Sequence, residues 1–193
     1  MAQPSPLEAQ LRECFGRVAY SHKTHEKCAD ICHVRLGRLK VVQIVLSAIV
    51  TGGILTAIFG SQDIEVFSQA ISAILSTMLL VLNAYAKDVD PGRQSERHRE
   101  SAAALWAIRE SYLSLLTDLR HGGVPDEEIR SRRDELQAAL VQIYQAAPRT
   151  TSRAYRSAQV GLQQNEELTF SDSELDQLLP PALRIASSRE PPT

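Results

Sequence analysis

Residues 41–86 run for 46 positions without one Lys, Arg or His, and this constrains the chain more than any other feature. The run reads VVQIVLSAIVTGGILTAIFG over 41–60, SQDIEVFSQ over 61–69 and AISAILSTMLLVLNAYA over 70–86. The first block's 20 residues are what an α-helix needs to cross bilayer hydrocarbon, and the second block's 17 are at the short end of that range. Backbone in lipid finds no outside hydrogen-bond partner, so a spanning segment is a helix or part of a closed barrel. Neither block alternates as a strand would. Both therefore predict helices, joined by a polar turn at 61–69 that holds Asp63 and Glu65.

The alternative is a buried hairpin in a soluble protein, given Gln43, Ser47, Thr51, Thr56, Ser72, Ser76, Thr77 and Asn83 inside the blocks. A soluble helix shows a charged face, however, and a buried hairpin needs a large surrounding fold. With 193 residues the chain has little to wrap around it. The expectation is an all-α membrane protein. It comprises a disordered lead (1–6), a long cytoplasmic helix (7–40), transmembrane helices at 41–60 and 70–86, a cytoplasmic helical bundle (95–185) and a disordered tail (186–193).

The formal net charge of −2 gives no global pull towards nucleic acid. Its distribution says more. Residues 1–40 carry 7 Lys+Arg against 4 Asp+Glu, and residues 87–193 carry 14 against 17. Arg35, Arg38 and Lys40 precede the hairpin, and Lys87, Arg93, Arg97 and Arg99 follow it, while its turn has no basic residue. The positive-inside rule then places both termini in the cytoplasm and the turn outside. The first ten residues show neither a basic n-region nor an apolar h-region, so no signal peptide is expected. Cys14, Cys28 and Cys32 are odd in number and on the inferred cytoplasmic side, where free thiols are the expected state.

Ahead of the hairpin, Leu7, Leu11, Phe15 and Val18 recur at helical spacing in a stretch without Pro. Within it lies HKTHEKCADICH, where His25, Cys28 and Cys32 share a helix face beside His22 and His33. Zinc takes such ligands, but paired ligands on a turn are missing, so solvated histidines and packing cysteines are the reading, with no metal assigned. In the first span Ala48, Gly52, Thr56 and Gly60 form a small-residue seam of the kind that lets two membrane helices approach closely. A polar set consists of Gln43, Ser47 and Thr51 in that span and Ser72, Ser76 and Asn83 in the second. It is either glue between helices or the lining of a water path.

KDVDPGR at 87–93 predicts a turn. A helix follows over 95–120, striped by Leu105, Ile108, Tyr112, Leu115 and Leu119 and stopped by Gly122-Gly123. Pro125 with Asp126, Glu127 and Glu128 opens another helix, striped by Ile129, Arg133, Leu136, Leu140 and Ile143. A third is expected over 150–167 with Tyr155, Ala158 and Leu162. A last is announced by the capping box Ser171-Asp172-Ser173-Glu174 and docked by Leu175, Leu178 and Leu179. Arg149, Arg153 and Arg156 fall at i, i+4, i+7 on the third helix. They are a solvated face or a grip for phosphate, acidic partner groups or anionic lipid. No phosphate-binding loop, dinucleotide fingerprint or zinc-protease motif occurs, so no enzyme and no cofactor is expected.

The segments YSHKTHEK, QIVLSAIVTGGILTAIFG, HRESAAALWAIRESYLSLLTDL, RRDEL, IYQAAPRTTSRAYRSAQVGL and EELTFSDSELDQLLPPALR resemble the SLATT family, the SMODS- and SLOG-associating two-transmembrane effector domains of bacteria. The likeness spans nearly all of 7–184 and rests on many dispersed positions. It implies a role in anti-phage or other conflict systems at the bacterial inner membrane, beside a nucleotidyltransferase that makes a nucleotide second messenger, a SLOG sensor or a reverse transcriptase. The implied action is oligomerisation and pore formation or disruption of the bilayer. A membrane-anchored adaptor that recruits a cytoplasmic sensor without conducting is the other reading.

Overall fold

The computed structural model describes residues 4–59 and 62–185, all helical or irregular with no strand among them. Helix α1, Pro6–Phe59, is one unbroken helix of 54 residues, about 80 Å long at 1.5 Å per residue. Pro6 sits at its start, where a missing N–H is harmless, and no later proline interrupts it. The Ser5 hydroxyl accepts from the Glu8 N–H there at 3.2 Å.

Helices α2 (Gln62–Val89) and α3 (Pro91–His121) run back antiparallel along the whole of α1. The register is fixed along the length: Gln43 meets Asn83, Ala29 meets Ser95, His22 meets Ala102 and Glu8 meets Arg120. The turn expected at 87–93 is a single residue, because Asp90 alone leaves the helical conformation, at φ 37°. Aspartate tolerates this left-handed well better than most residues, and its Oδ1 caps the Arg93 N–H at 3.0 Å. Gly92 is helical and lies against Leu36, 3.5 Å from where a Cβ would sit.

The first half of α1 packs with α3 and with α4 (Asp126–Ala146) around Leu7, Leu11, Cys14, Val18, Leu105, Tyr112, Leu115 and Ile129. The stripes of α3 and α4 face this core as their spacing predicts, with Leu136, Leu140 and Ile143 against it. Helix α5 (Ser152–Gln163) lies on α1 through Ala154, Ala158 and Gly161, small residues that permit close approach. Helix α6, Asp172–Leu178, carries the expected capping box, and a 3-10 turn at Pro181–Leu183 follows.

Four expectations need correction. The polar joint is not a nine-residue turn: α2 begins at Gln62, since QDIEVFSQ has no Gly or Pro to stop a helix. The C-terminal bundle is not self-contained, because α3 and α4 cannot bury their stripes without α1. Helix α5 is shorter than 150–167: Thr151 caps it and Gln164 ends it. Tyr155 is half-exposed and stacks on Tyr20 with ring centroids 6.0 Å apart. Finally, Leu175 and Leu178 do not dock α6, which has no buried residue. Residues 1–3 of the expected lead and the whole tail at 186–193 lie outside the described residues.

Candidate functional site: the apolar hairpin and the polar seam above it

Two helices are long and apolar enough to cross a membrane. Their apolar side chains point outward: Ile44, Ile58, Ile74, Leu80 and Val81 are all exposed. The inner face of the pair is narrow. Gln43, Leu46, Val50 and Gly53 of α1 are half-buried against Ser72, Leu75, Leu79 and Leu82 of α2, at alternating three- and four-residue steps. This is the knobs-into-holes spacing of a left-handed helix pair. Gly53 allows the close approach here, and a Cβ added to it would force the Ser72 hydroxyl to turn away.

The polar set divides on the structure. Gln43 donates to Asn83 Oδ1 at 2.8 Å across the pair, and Ser72 is buried beside Gly53. Ser47, Thr51 and Ser76 are exposed, and the Thr51 hydroxyl is returned to the Ser47 carbonyl at 2.9 Å. The small-residue seam also faces outward: Ala48, Gly52 and Thr56 are exposed, and a Cβ on Gly52 meets nothing within 4 Å. Gly60 lies outside the described residues. At the hairpin's open end, Arg35 hydrogen-bonds the Tyr85 hydroxyl and stands 5.7 Å from the ring centroid. An amphipathic ring and a snorkelling cation are usual at a membrane–water boundary.

Above that boundary the α1–α3 interface turns polar before becoming an apolar core. Ser95 donates to the Ala29 carbonyl at 2.9 Å, and His22 Nδ1 lies 2.9 Å from the Ala102 carbonyl. Between them His25 Nδ1 faces His98 Nδ1 at 3.0 Å, both rings buried. Such a bond needs one protonated and one bare nitrogen, so it fails when both rings are charged. Burial, with His98 and His22 adding to it, pulls His25 down to about 4, and burial beside Arg97 lowers His98 too. Sequence spacing grouped His25 with Cys28 and Cys32; its partner comes from α3, 73 positions away. Among the described residues no group of three or more His, Cys, Asp or Glu is placed to hold a metal ion. The three cysteines are unpaired thiols.

The three arginines do not share a helix face. Arg149 precedes α5, in the linker after α4, and lines a cleft of about 460 Å³ with Tyr20, Ser21, Thr24, Tyr144 and Thr150. Arg153 and Arg156 lie on α5, exposed, with no hydrogen bond or ion pair among the described residues. Glu167, which sequence reasoning passed over, fastens the following loop to α1. Its carboxylate receives Lys23 at 2.7 Å and Lys27 at 3.0 Å, and these bonds pull its pKa down to about 2.

Comparison with known proteins gives one result. A family model described as SMODS and SLOG-associating 2TM effector domain family 4 matches residues 7–174. No curated protein and no solved structure matches the chain.

Proposed function

The chain belongs to family 4 of the SMODS- and SLOG-associating two-transmembrane effector domains, and from that premise we propose that it is a membrane effector of a bacterial conflict system. In this reading the hairpin spans the inner membrane with both termini cytoplasmic, and several copies assemble to permeabilise it. A nucleotide second messenger or a partner protein is the trigger, and Arg149 in the lining of the cleft is the cation placed to meet an anionic ligand. One observation supports this best. The helices that form the polar seam are the same rods, α1 and α3–α2, that form the hairpin. A ligand that prefers a rearranged seam therefore moves the membrane helices directly. One hairpin encloses no path, so the outward Ala48, Gly52 and Thr56 face would meet another copy and Ser47, Thr51 and Ser76 would turn to water.

A second reading has its own support. The Gln43–Asn83 bond pairs two amide side chains of the hairpin's apolar blocks within one chain, as expected of a non-conducting anchor for a cytoplasmic sensor. Dye release from liposomes carrying the purified chain, together with depolarisation of expressing cells, separates the two. Release that Ser47→Leu and Ser76→Leu abolish supports the effector. Intact vesicles and polarised cells under every trigger supplied leave the anchor.

A further inference from the structure

A groove of about 480 Å³ lies between α1 and α2 and begins where the charges of the head end. Half-buried Leu46 and Leu82 form its floor, exposed Val42, Met78 and Val81 its walls, and Tyr85 stands at the end nearest the head. Thr77 also lines it, but its hydroxyl is returned to the Ala73 carbonyl at 2.9 Å, so below Tyr85 the walls offer nothing polar to a guest. From Thr77 to Tyr85 a helix rises about 12 Å, most of the roughly 15 Å that one leaflet gives to the hydrocarbon core. Arg35 and Arg38 stand above the groove, exposed, and positions 35, 38, 42 and 46 follow one another at three- and four-residue steps on one row of α1. Arg38 has no hydrogen bond or ion pair among the described residues. Arg35 spends one of its five N–H donors on the Tyr85 hydroxyl, which keeps its own proton to donate. Arg35, Arg38, Lys40 and Lys87 outnumber Asp88 and Asp90 at this end of the hairpin, and Asp90 is turned to the Arg93 N–H.

We infer that this groove holds one acyl chain of an anionic phospholipid from the leaflet nearest the head, with the lipid phosphate on Arg35 and Arg38. The occupant is a lipid because the apolar part opens outward from the hairpin and is as deep as a leaflet, while the cations sit level with Tyr85, an aromatic residue of the kind found among headgroups. Guanidinium groups bind phosphate oxygens through charge-assisted bonds. A neutral phospholipid brings its own cation and gains less from the arginines. Free phosphate meets the arginines but has no use for the groove. Met78 is an unbranched, adaptable side chain suited to packing against a mobile alkyl chain. Both helices line the groove, so its occupant ties α1 to α2 at the end of the hairpin away from the Gly53–Ser72 contact. The inference rests on the membrane-spanning reading, and needs neither a pore nor an oligomer.

The test reconstitutes the full chain in mixed phosphatidylcholine and phosphatidylglycerol vesicles, extracts it in mild detergent and weighs the retained lipid by native mass spectrometry. The parent should keep phosphatidylglycerol in preference to phosphatidylcholine. Arg38→Gln should cut that preference about fivefold, and Arg35→Gln with Arg38→Gln about twenty-five-fold. Arg35→Lys with Arg38→Lys keeps the charge and should retain most of the preference. Val42→Trp fills the groove from one wall and should expel both lipids with the arginines untouched; Val81→Phe repeats this from the other wall. Millimolar inorganic phosphate should not displace the lipid. Equal retention of the two lipids by the parent, retention that ignores the arginine and groove variants, or displacement by inorganic phosphate alone overturns the inference. A parent that does not float with vesicles of either composition removes the membrane-spanning reading itself. A parent that floats and shows no lipid preference removes only this site.

Discussion

Helix α1 carries the same kinds of side chain in two opposite situations. In its first half Leu11 is 0% exposed and Val18 1%, held by α3 and α4. In its second half Ile44 is 68% exposed and Ile58 64%, although α2 runs alongside. Water would not tolerate a stripe of exposed isoleucine and valine of that length. The two halves are built for different solvents, and the polar seam marks the change. The head is held together by water exclusion, whereas the hairpin must rely on close contact and the Gln43–Asn83 amide bond, because lipid provides no hydrophobic drive between helices.

That contrast makes measurable differences. The largest effect belongs to the head. Leu105→Ala removes a fully buried side chain and should lower stability by about 2–5 kcal/mol, while Val81→Ala, outward on α2, should shift the melting of detergent-solubilised protein by no more than ~0.5 kcal/mol. Equal losses would break the comparison. Next is Gly53→Leu, which drives a side chain into Ser72 and should destabilise the hairpin by about 1–3 kcal/mol. Gly52→Leu, with open space around it, should leave the hairpin's packing alone and weaken only assembly between copies. Cysteine cross-linking between α1 and α2 tells the two apart.

The seam should respond to acid. His25 titrates near 6.5 when unfolded and at about 4 when folded. The unfolded chain therefore binds more protons between those values, and stability is lost as pH drops through that window. Melting temperature should be level above pH 6.5 and drop by several degrees on the way to 4, and His25→Gln should flatten the slope. A wild-type protein whose melting does not change from pH 7 to 5 would show that the His25–His98 contact does not hold α1 to α3. The smallest effect is expected at Tyr112, whose buried hydroxyl has only the weakly bonding Cys14 thiol beside it among the described residues. Burial, with Cys14 nearby, pushes it up to about 12. Tyr112→Phe discards a weakly bonded group and should be neutral or stabilising by up to about 1 kcal/mol in the same melts.

Much of this was legible from local pattern. Absence of charge located the hairpin, the 3–4 stripes found the buried faces of α3 and α4, and Ser171 and Glu174 found the start of α6. What stayed hidden depends on pairing between distant segments. Nothing near His25 announces His98, and nothing in Glu167 announces Lys23. Small residues at four-residue spacing singled out Gly52, yet the glycine between α1 and α2 is Gly53, because which side of a helix meets its neighbour is set by that neighbour. The leucines of α6 read as buried because apolar spacing signals a face to be covered, without saying by which molecule.

The unbroken register from Glu8 to Gly53 makes α1 a ruler. One extra residue anywhere between Val18 and Val41 would turn every later side chain by 100° and lift it 1.5 Å relative to the strut formed by α3 and α2. Gln43 would lose Asn83, and Gly53 would swing away from Ser72. The far strut cannot absorb the error, since its only irregular residue is Asp90. Length variation in this stretch should therefore be accepted in whole heptads, added to both struts together, and single insertions or deletions should uncouple the head from the hairpin even when each still folds.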